Sequence, residues 1–278
     1  MHLRLSKQLA DLAEPLDAVA EPVQGAVRAI PKPVTDVLDG VWLGNPLHPA
    51  LTDVPIGAWT AAAALDLVGS RAADDALLVG VLGAIPAALT GLNDWSHLQG
   101  DSKRLGTVHA LVNSMGLALN VASVLARRDG RRGLGKVLSG VAYAGALFSA
   151  HIGGQLSFGL GVRVNRTAFE NPRERYAPVC EEDALNGGKL CRVELEGEAV
   201  VARSEETGEV CAIAATCSHL GGPLDKGDRE GDTVICPWHG SRFDLCTGEV
   251  EGGPAVYPQP RYEARVRAGK VEIRAAKE

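Results

Sequence analysis

Two cysteines and two histidines fall in a pattern that could hold metal. Cys217-Ser218-His219 and Cys236-Pro237-Trp238-His239 each offer one thiolate and one imidazole, with sixteen residues between the two motifs. Two thiolates on one iron and two imidazoles on the other form the donor set of a mixed-ligand [2Fe–2S] centre. Its potential lies above that of an all-cysteine cluster. A single zinc ion accepts the same four side chains. However, the Cys-x-His spacing and the tail Pro237-Trp238-His239-Gly240-Ser241-Arg242-Phe243 are not finger-like, so the two-iron reading leads. Gly221, Gly222 and Pro223 suit tight turns whose backbone N–H groups can point at sulfide.

Loops of this kind need a rigid support. The short runs Val193–Leu195, Ala199–Ala202, Val210–Ala214 and Val234–Cys236, broken by glycine and charged turns, read as a small antiparallel β domain. Tyr262 to Arg274 adds a hairpin around Ala268-Gly269. With the Cys-x-His and Cys-x-x-His motifs, the stretch Tyr176 to Lys277 resembles the ferredoxin-type Rieske family. The resemblance implies that Cys217 and Cys236 ligate one iron and His219 and His239 the other, and that the module carries electrons. The respiratory branch of that family clamps its loops with a disulfide; Gly222 and Trp238 stand at the matching positions here. That branch also uses a serine and a tyrosine hydroxyl to hydrogen-bond cluster sulfur. This chain keeps Ser241 but has Phe243 in the tyrosine's place. Fewer such bonds leave the reduced cluster less stabilised, so a low or intermediate potential is expected.

The 278 residues leave room for two domains. From Tyr176 onward there are 12 Lys/Arg against 19 Asp/Glu, net −7, which leaves +1 for residues 1–175. The acidic half is no nucleic-acid binder by bulk charge. Beyond the two candidate ligands, Cys180, Cys191, Cys211 and Cys246 read as free, mostly buried thiols, favouring a reducing compartment; an oxidised pair among them is the alternative. The start of the chain shows neither a cleavable signal peptide nor a twin-arginine signal.

Upstream, the apolar positions Leu5, Leu9, Leu12, Leu16, Val19, Val23, Val27 and Ile30 describe one helical face, interrupted near Pro15 and Pro22. With Arg4, Lys7, Arg28 and Lys32 off that face, the segment could lie on a membrane surface or pack on the protein itself. Four apolar segments follow: Val54–Ser70 with one charge, Asp66, then Ala76–Leu92, Leu105–Ala126 and Val137–Val162 with none. Their lengths suit membrane spans, and their Gly, Ala and Ser content suits close packing in lipid. The expected architecture is a four-helix transmembrane α-bundle followed by a small all-β Rieske domain. Its parts are an amphipathic helical segment over 1–45, the bundle over 46–162, a polar linker over 163–175 and the Rieske domain over 176–278.

An even number of spans puts both termini on one side. That side carries Arg4, Lys7, Arg28, Lys32, Lys103, Arg104, Arg163, Arg166, Arg173 and Arg175; the other carries Arg71, Arg127, Arg128, Arg131, Arg132 and Lys136. The bias predicts a multi-pass protein of the bacterial cell membrane with a cytoplasmic Rieske domain.

Ionisable groups inside membranes are costly, which makes His48, His97, His109 and His151 candidates for function. With up-down threading they fall in the half of the bundle that faces the Rieske domain. Polar stripes accompany them: Pro86, Thr90, Asn93 and His97; His109, Asn113, Gly116 and Asn120; Tyr143, Leu147, His151 and Gln155. Haem b between two imidazoles, a quinone pocket, or plain interhelical hydrogen bonding would each use such groups. His109 and His151 are the preferred pair for an iron, with His48 or His97 as the other partner for His109. The segment from Asn45-Pro46-Leu47-His48-Pro49 to Gly57, with Gly91-Leu92-Asn93-Asp94-Trp95, resembles an uncharacterised bacterial four-helix membrane domain often fused to Rieske modules.

These readings converge on a membrane-anchored electron-transfer protein that passes single electrons between a soluble partner protein and a membrane redox site, haem b or a quinone. Alternatives are a ferredoxin serving a separate oxygenase and a non-catalytic redox sensor. A self-contained Rieske oxygenase needs a second iron held by two histidines and a carboxylate in a further domain, and no histidine follows His239.

Overall fold

A computed structural model describes residues 12–170, 174–194 and 197–276. Leu5, Leu9, Arg4, Lys7, Arg173, Leu195 and Lys277, used in the sequence reading, lie outside the described residues. The chain forms two compact units, one of Met1–Val34 with Pro46–Val162, the other of Thr35–Asn45 with Arg163–Glu278.

The helical unit contains α1 (Ala13–Arg28), α3 (Leu47–Leu67), α4 (Ala72–Ser96), α5 (Gly100–Arg128) and α6 (Arg132–Gly154), the last extended by a π turn over Gln155–Gly159; α2 (Lys32–Asp39) straddles the two units. Close packing depends on small residues. A side chain at Gly80 would lie 2.2 Å from the Trp59 indole, so α3 and α4 approach only because no Cβ intervenes. Trp59, Ala62, Leu77 and Ala84 form the core there, while Val79, Leu82, Ile85, Met115, Leu125 and Val141 face outward. An outward apolar surface on an inward core of small residues suits lipid as the solvent.

Among the described residues, three helices have the length and apolarity of spans: Ala72–Ser96, Gly100–Arg128 and Arg132–Gly159. The expected count of four transmembrane helices is therefore not confirmed among them. The first segment does fold, as α3 with 21 residues. Asp53 and Asp66, with Pro49 and Pro55, dilute its apolar character.

The second unit is all-β apart from short helical turns. One antiparallel sheet has the order β1-β10-β9-β4-β3-β2, from β1 (Ala177–Glu181), β2 (Cys191–Glu194), β3 (Glu198–Arg203), β4 (Val210–Ala214), β9 (Arg261–Arg267) and β10 (Lys270–Ala275). The other runs β5-β6-β7-β8, from β5 (Asp228–Glu230), β6 (Thr233–Ile235), β7 (Arg242–Asp244) and β8 (Val250–Gly252). Ala268 and Gly269, at φ +51° and +75°, turn β9 into β10 as the sequence predicts. Val200, Ile213, Leu224, Val234, Phe243 and Leu245 form the core that carries Cys217 and Cys236.

Two stretches assigned elsewhere by sequence belong with this β unit. Residues 35–45 were grouped with the amphipathic segment, yet Asp36 Oδ1 accepts from Gly253 N–H at 2.9 Å and Asn45 Oδ1 from the Tyr257 hydroxyl at 3.2 Å. The polar stretch after α6 is docked too: Arg166 N–H donates to Ser218 O at 3.0 Å. Polar side chains give no hydrophobic period, so partners this distant in sequence leave no local trace.

Candidate metal centre

The two motifs fold into one loop geometry used twice. Cys217 N–H donates to Gly222 O at 2.8 Å, and Gly221 N–H returns to Cys217 O at 2.9 Å. Cys236 N–H donates to Ser241 O at 2.8 Å, and Gly240 N–H to Cys236 O at 3.0 Å. Gly221 and Gly240 hold φ +84° and +73°, which glycine adopts without strain. The second loop joins β6 directly to β7. Glycine-rich turns were readable in the sequence; their equivalence was not, because the histidine is offset by one residue between the loops.

The donors gather as two pairs. The His219 and His239 rings stand 5.2 Å apart between centroids, edge to face at 86°. The Cys217 and Cys236 thiols lie within hydrogen-bond reach of one another. Cys217, Cys236 and His219 are buried and His239 is half-buried, with Trp238 exposed beside it. Among the described residues, no three His, Cys, Asp or Glu side chains gather around one point.

Both sulfurs meet donors. The His219 N–H and the Ser241 hydroxyl reach Cys217 Sγ, and the N–H groups of Trp238 and His239 reach Cys236 Sγ. The adjacent Cys217 thiol, helped by those N–H groups against burial, brings Cys236 down to about 7; Cys236 and burial push Cys217 upward. A nest of N–H and O–H groups around two thiols stabilises negative charge on sulfur. Ser241 is fully buried and its Oγ also accepts from Ala255 N–H at 3.0 Å. Phe243 is fully buried in the core with no hydroxyl to offer. At the positions of the respiratory-branch clamp, the Trp238 ring fills the space beside Gly222, 3.2 Å from where a Cβ would sit.

The reading of four free thiols is corrected. Cys211 and Cys246 form a disulfide, with Cα atoms 4.7 Å apart and a sequence separation of 35. β4 and the turn after β7 are brought together by the shared core, which spacing along the chain cannot reveal. Cys180 and Cys191 stay as thiols packed on the second core of the unit. Burial, then the neighbouring Cys191, pushes Cys180 up to about 11. A disulfide no longer favours a reducing compartment.

The four histidines of the helical unit have different surroundings. His48 Nδ1 pairs with Ala87 O at 2.8 Å, its ring against Gly91. His109 Nδ1 pairs with Ser149 O at 3.0 Å, and Asn113 Nδ2 lies 3.0 Å from His109 Nε2. His48 lies close enough to act on His109 electrostatically. His97 follows the last turn of α4, and His151 is exposed on the outside of α6. His109 bonds to Ser149 and Asn113 through its two ring nitrogens, and no hydrogen bond among the described residues joins it to the exposed His151. An iron ligand needs a ring nitrogen free of other partners, so the arrangement gives the haem b reading no support. The polar stripe itself is real: Thr90, Asn93, Asn120 and Ser149 are buried.

Comparison with known proteins adds two family matches. Residues 175–263 match the family described as "Rieske [2Fe-2S] domain", and residues 44–166 the family described as "Predicted membrane protein (DUF2231)". Apoptosis-inducing factor 3 of Mus musculus is 36% identical over 102 residues, 37% of this chain and 17% of that protein, so the chain spans about a sixth of that relative. Ferredoxin CarAc of Metapseudomonas resinovorans is 31% identical over 102 residues, 37% of this chain and 95% of the ferredoxin. A solved complex of reduced oxygenase and oxidized ferredoxin in carbazole 1,9a-dioxygenase matches with 28% identity and a TM-score of 0.34, covering 37% of this chain and 95% of that chain.

Proposed function

Because the chain belongs to the Rieske [2Fe-2S] family, we propose that it is a membrane-anchored one-electron carrier in which Cys217 and Cys236 hold one iron and His219 and His239 the other. The observation that carries this is the division of four donors into a thiol pair and an imidazole pair on two equivalent loops. When bound, the cluster supplies a site that accepts and returns one electron. The residues do the rest. Ser241 and the N–H groups of His219, Trp238 and His239 offset charge on sulfur. The half-buried His239 and the exposed Trp238 form the edge at which a partner protein exchanges the electron.

The purified protein should contain two iron and two acid-labile sulfides per chain and show, on reduction, the low average g-value of a histidine-ligated cluster. His219→Ala or Cys236→Ser should abolish that signal. One bound zinc without labile sulfide sinks the assignment.

Similarity to ferredoxin CarAc and to the ferredoxin component of the p-cumate 2,3-dioxygenase system of Pseudomonas putida supports a second reading, service to a separate oxygenase. A quinone is the alternative electron partner within the membrane, and the exposed Asn113 amide, held by His109 Nε2, would offer it a hydrogen bond. Loss of quinone-linked cluster reduction in His109→Ala, with the iron signal intact, separates the two.

Anchoring extends to α1. Asp17, Gln24 and Arg28 bond to residues 95–104 at the mouth of the α4–α5 hairpin, while Leu12, Val19 and Val23 face outward. Asp17 and Arg28 are about 16 Å apart along α1 at 1.5 Å per residue. Their partners all lie within about 6 Å of the helix ends by the same measure. The helix therefore crosses the hairpin mouth rather than running beside it, as an in-plane interfacial helix does. Whether the Rieske unit is cytoplasmic turns on two opposed supports. The Lys/Arg bias favours the cytoplasm but needs an even number of spans, and the Cys211–Cys246 disulfide favours an oxidising face. Reporter fusions at the C-terminus decide the side.

A further inference from the structure

We propose that Asp36, Asp39 and Arg163, all outside the Rieske module, are positioning residues that set the hydrogen bond from Ser241 to Cys217. This rests on the cluster assignment above and extends it to residues the module does not contain.

The connection is continuous within the β unit. Ser241 reaches Cys217 Sγ, and its oxygen is fixed by Ala255 N–H at 3.0 Å. The two residues before Ala255 are gripped from outside. Asp36 Oδ1 accepts from Gly253 N–H at 2.9 Å, and Arg163 Nη1 donates to Pro254 O at 2.8 Å. Arg163 also donates to Asp39 O at 2.8 Å through Nη2, and its Nη1 lies 3.4 Å from Asp39 Oδ1. The Arg163 and Asp39 side chains are 7% and 1% exposed, so this is a buried and paired charge rather than a surface contact. A Cβ at Gly253 would lie 2.9 Å from Asp39 Oδ2 and from Val41 Cγ2, so only glycine admits the segment this closely.

Arg163 holds φ +60°, a left-handed backbone that non-glycine residues keep only where surrounding contacts over-determine it. A surface linker has no use for such a conformation. A residue that must aim a planar fork at two carbonyls does. The segment 35–45 thus stands behind the loop 253–255, which stands behind the serine, which faces the sulfur. Loosening the outer grip frees the serine hydroxyl to turn away, and the reduced, more negative cluster loses the larger share of stabilisation.

The test uses the full-length protein in detergent, with the midpoint potential read by redox titration of the cluster signal. Asp36→Ala, which removes the acceptor, should lower the potential, while Asp36→Asn, which keeps an oxygen there, should hold it. Arg163→Lys keeps the charge opposite Asp39 but loses the fork, and should lower the potential too; it serves where Asp36→Ala fails to load. In a Ser241→Ala background the same substitutions should shift the potential no further. Wild-type potentials in both Asp36→Ala and Arg163→Lys overturn the proposal, as do shifts of equal size with and without Ser241. Absence of iron and sulfide in the wild type would instead overturn the cluster assignment and this inference with it.

Discussion

Replacing Ser241 with alanine isolates one bond to sulfur in a site otherwise left intact. The hydroxyl reaches Cys217 Sγ from a fully buried position, so water cannot take its place. A hydrogen bond to a charged group contributes about 1.5–3 kcal/mol. Reduction adds one negative charge to the centre, so the bond strengthens in the reduced form. A differential of about 1–2 kcal/mol, at roughly 1.36 kcal/mol and 59 mV per tenfold for one electron, lowers the potential by about 40–90 mV. Phe243→Tyr should act in the opposite direction, if its hydroxyl finds sulfur from the core position the phenyl ring now fills. The assay is a redox titration followed by the g-values of the reduced cluster, which also report whether the ligand set survives. Ser241→Ala additionally leaves Ala255 N–H without its acceptor, at a stability cost of about 1–3 kcal/mol. A loss of stability with an unmoved or raised potential would refute the reasoning, because the serine would then be structural only.

Cys246→Ser opens the loop closed by the Cys211 disulfide and should cost about 4 kcal/mol by chain entropy, read as a lower melting temperature of the β unit under non-reducing conditions. Asp66→Ala leaves the buried Arg127 guanidinium with Asp74 as its remaining carboxylate, and should destabilise the helical unit by about 3 kcal/mol; an unchanged melt in detergent contradicts it. Nitroxides at Val19→Cys and Val23→Cys, in phosphatidylcholine–phosphatidylglycerol nanodiscs, should collide more with oxygen than with a nickel chelate, with the reverse at Glu21→Cys; uniform exposure to the chelate would remove α1 from the membrane surface.

The features legible in the sequence are those with a local physical origin. Thiolate and imidazole spacing announced the four donors, because metal ligation restricts residue type more tightly than any packing rule. Alternation and glycine marked β3, β4 and the β9–β10 turn. Strands β1, β5, β7 and β8 were missed: Pro178 lies within the first, and the other three are three residues long with charge in each, so none has an apolar period to find.

What stayed hidden were partnerships between residues far apart in the chain. The Arg-rich stretch after α5 was weighed as surface charge bearing on topology. Yet the Arg127 side chain is 2% exposed, and it bonds to Asp66, Asp74, Ser123 and Ser139, tying four helix ends together. Such a charge ties the helices to one another, a role its position in an Arg-rich stretch does not reveal. The same holds for Asp36 and Arg163, which a sequence reading places in an anchor helix and a linker. Asp36 bonds to Gly253 across the whole helical unit in sequence, and Arg163 to Pro254 across most of the Rieske module. A membrane domain inserted between two parts of one β unit makes the Rieske module depend on residues that precede its own insertion point. The family match begins at residue 175 and therefore leaves out the chain that braces the loop behind its own serine.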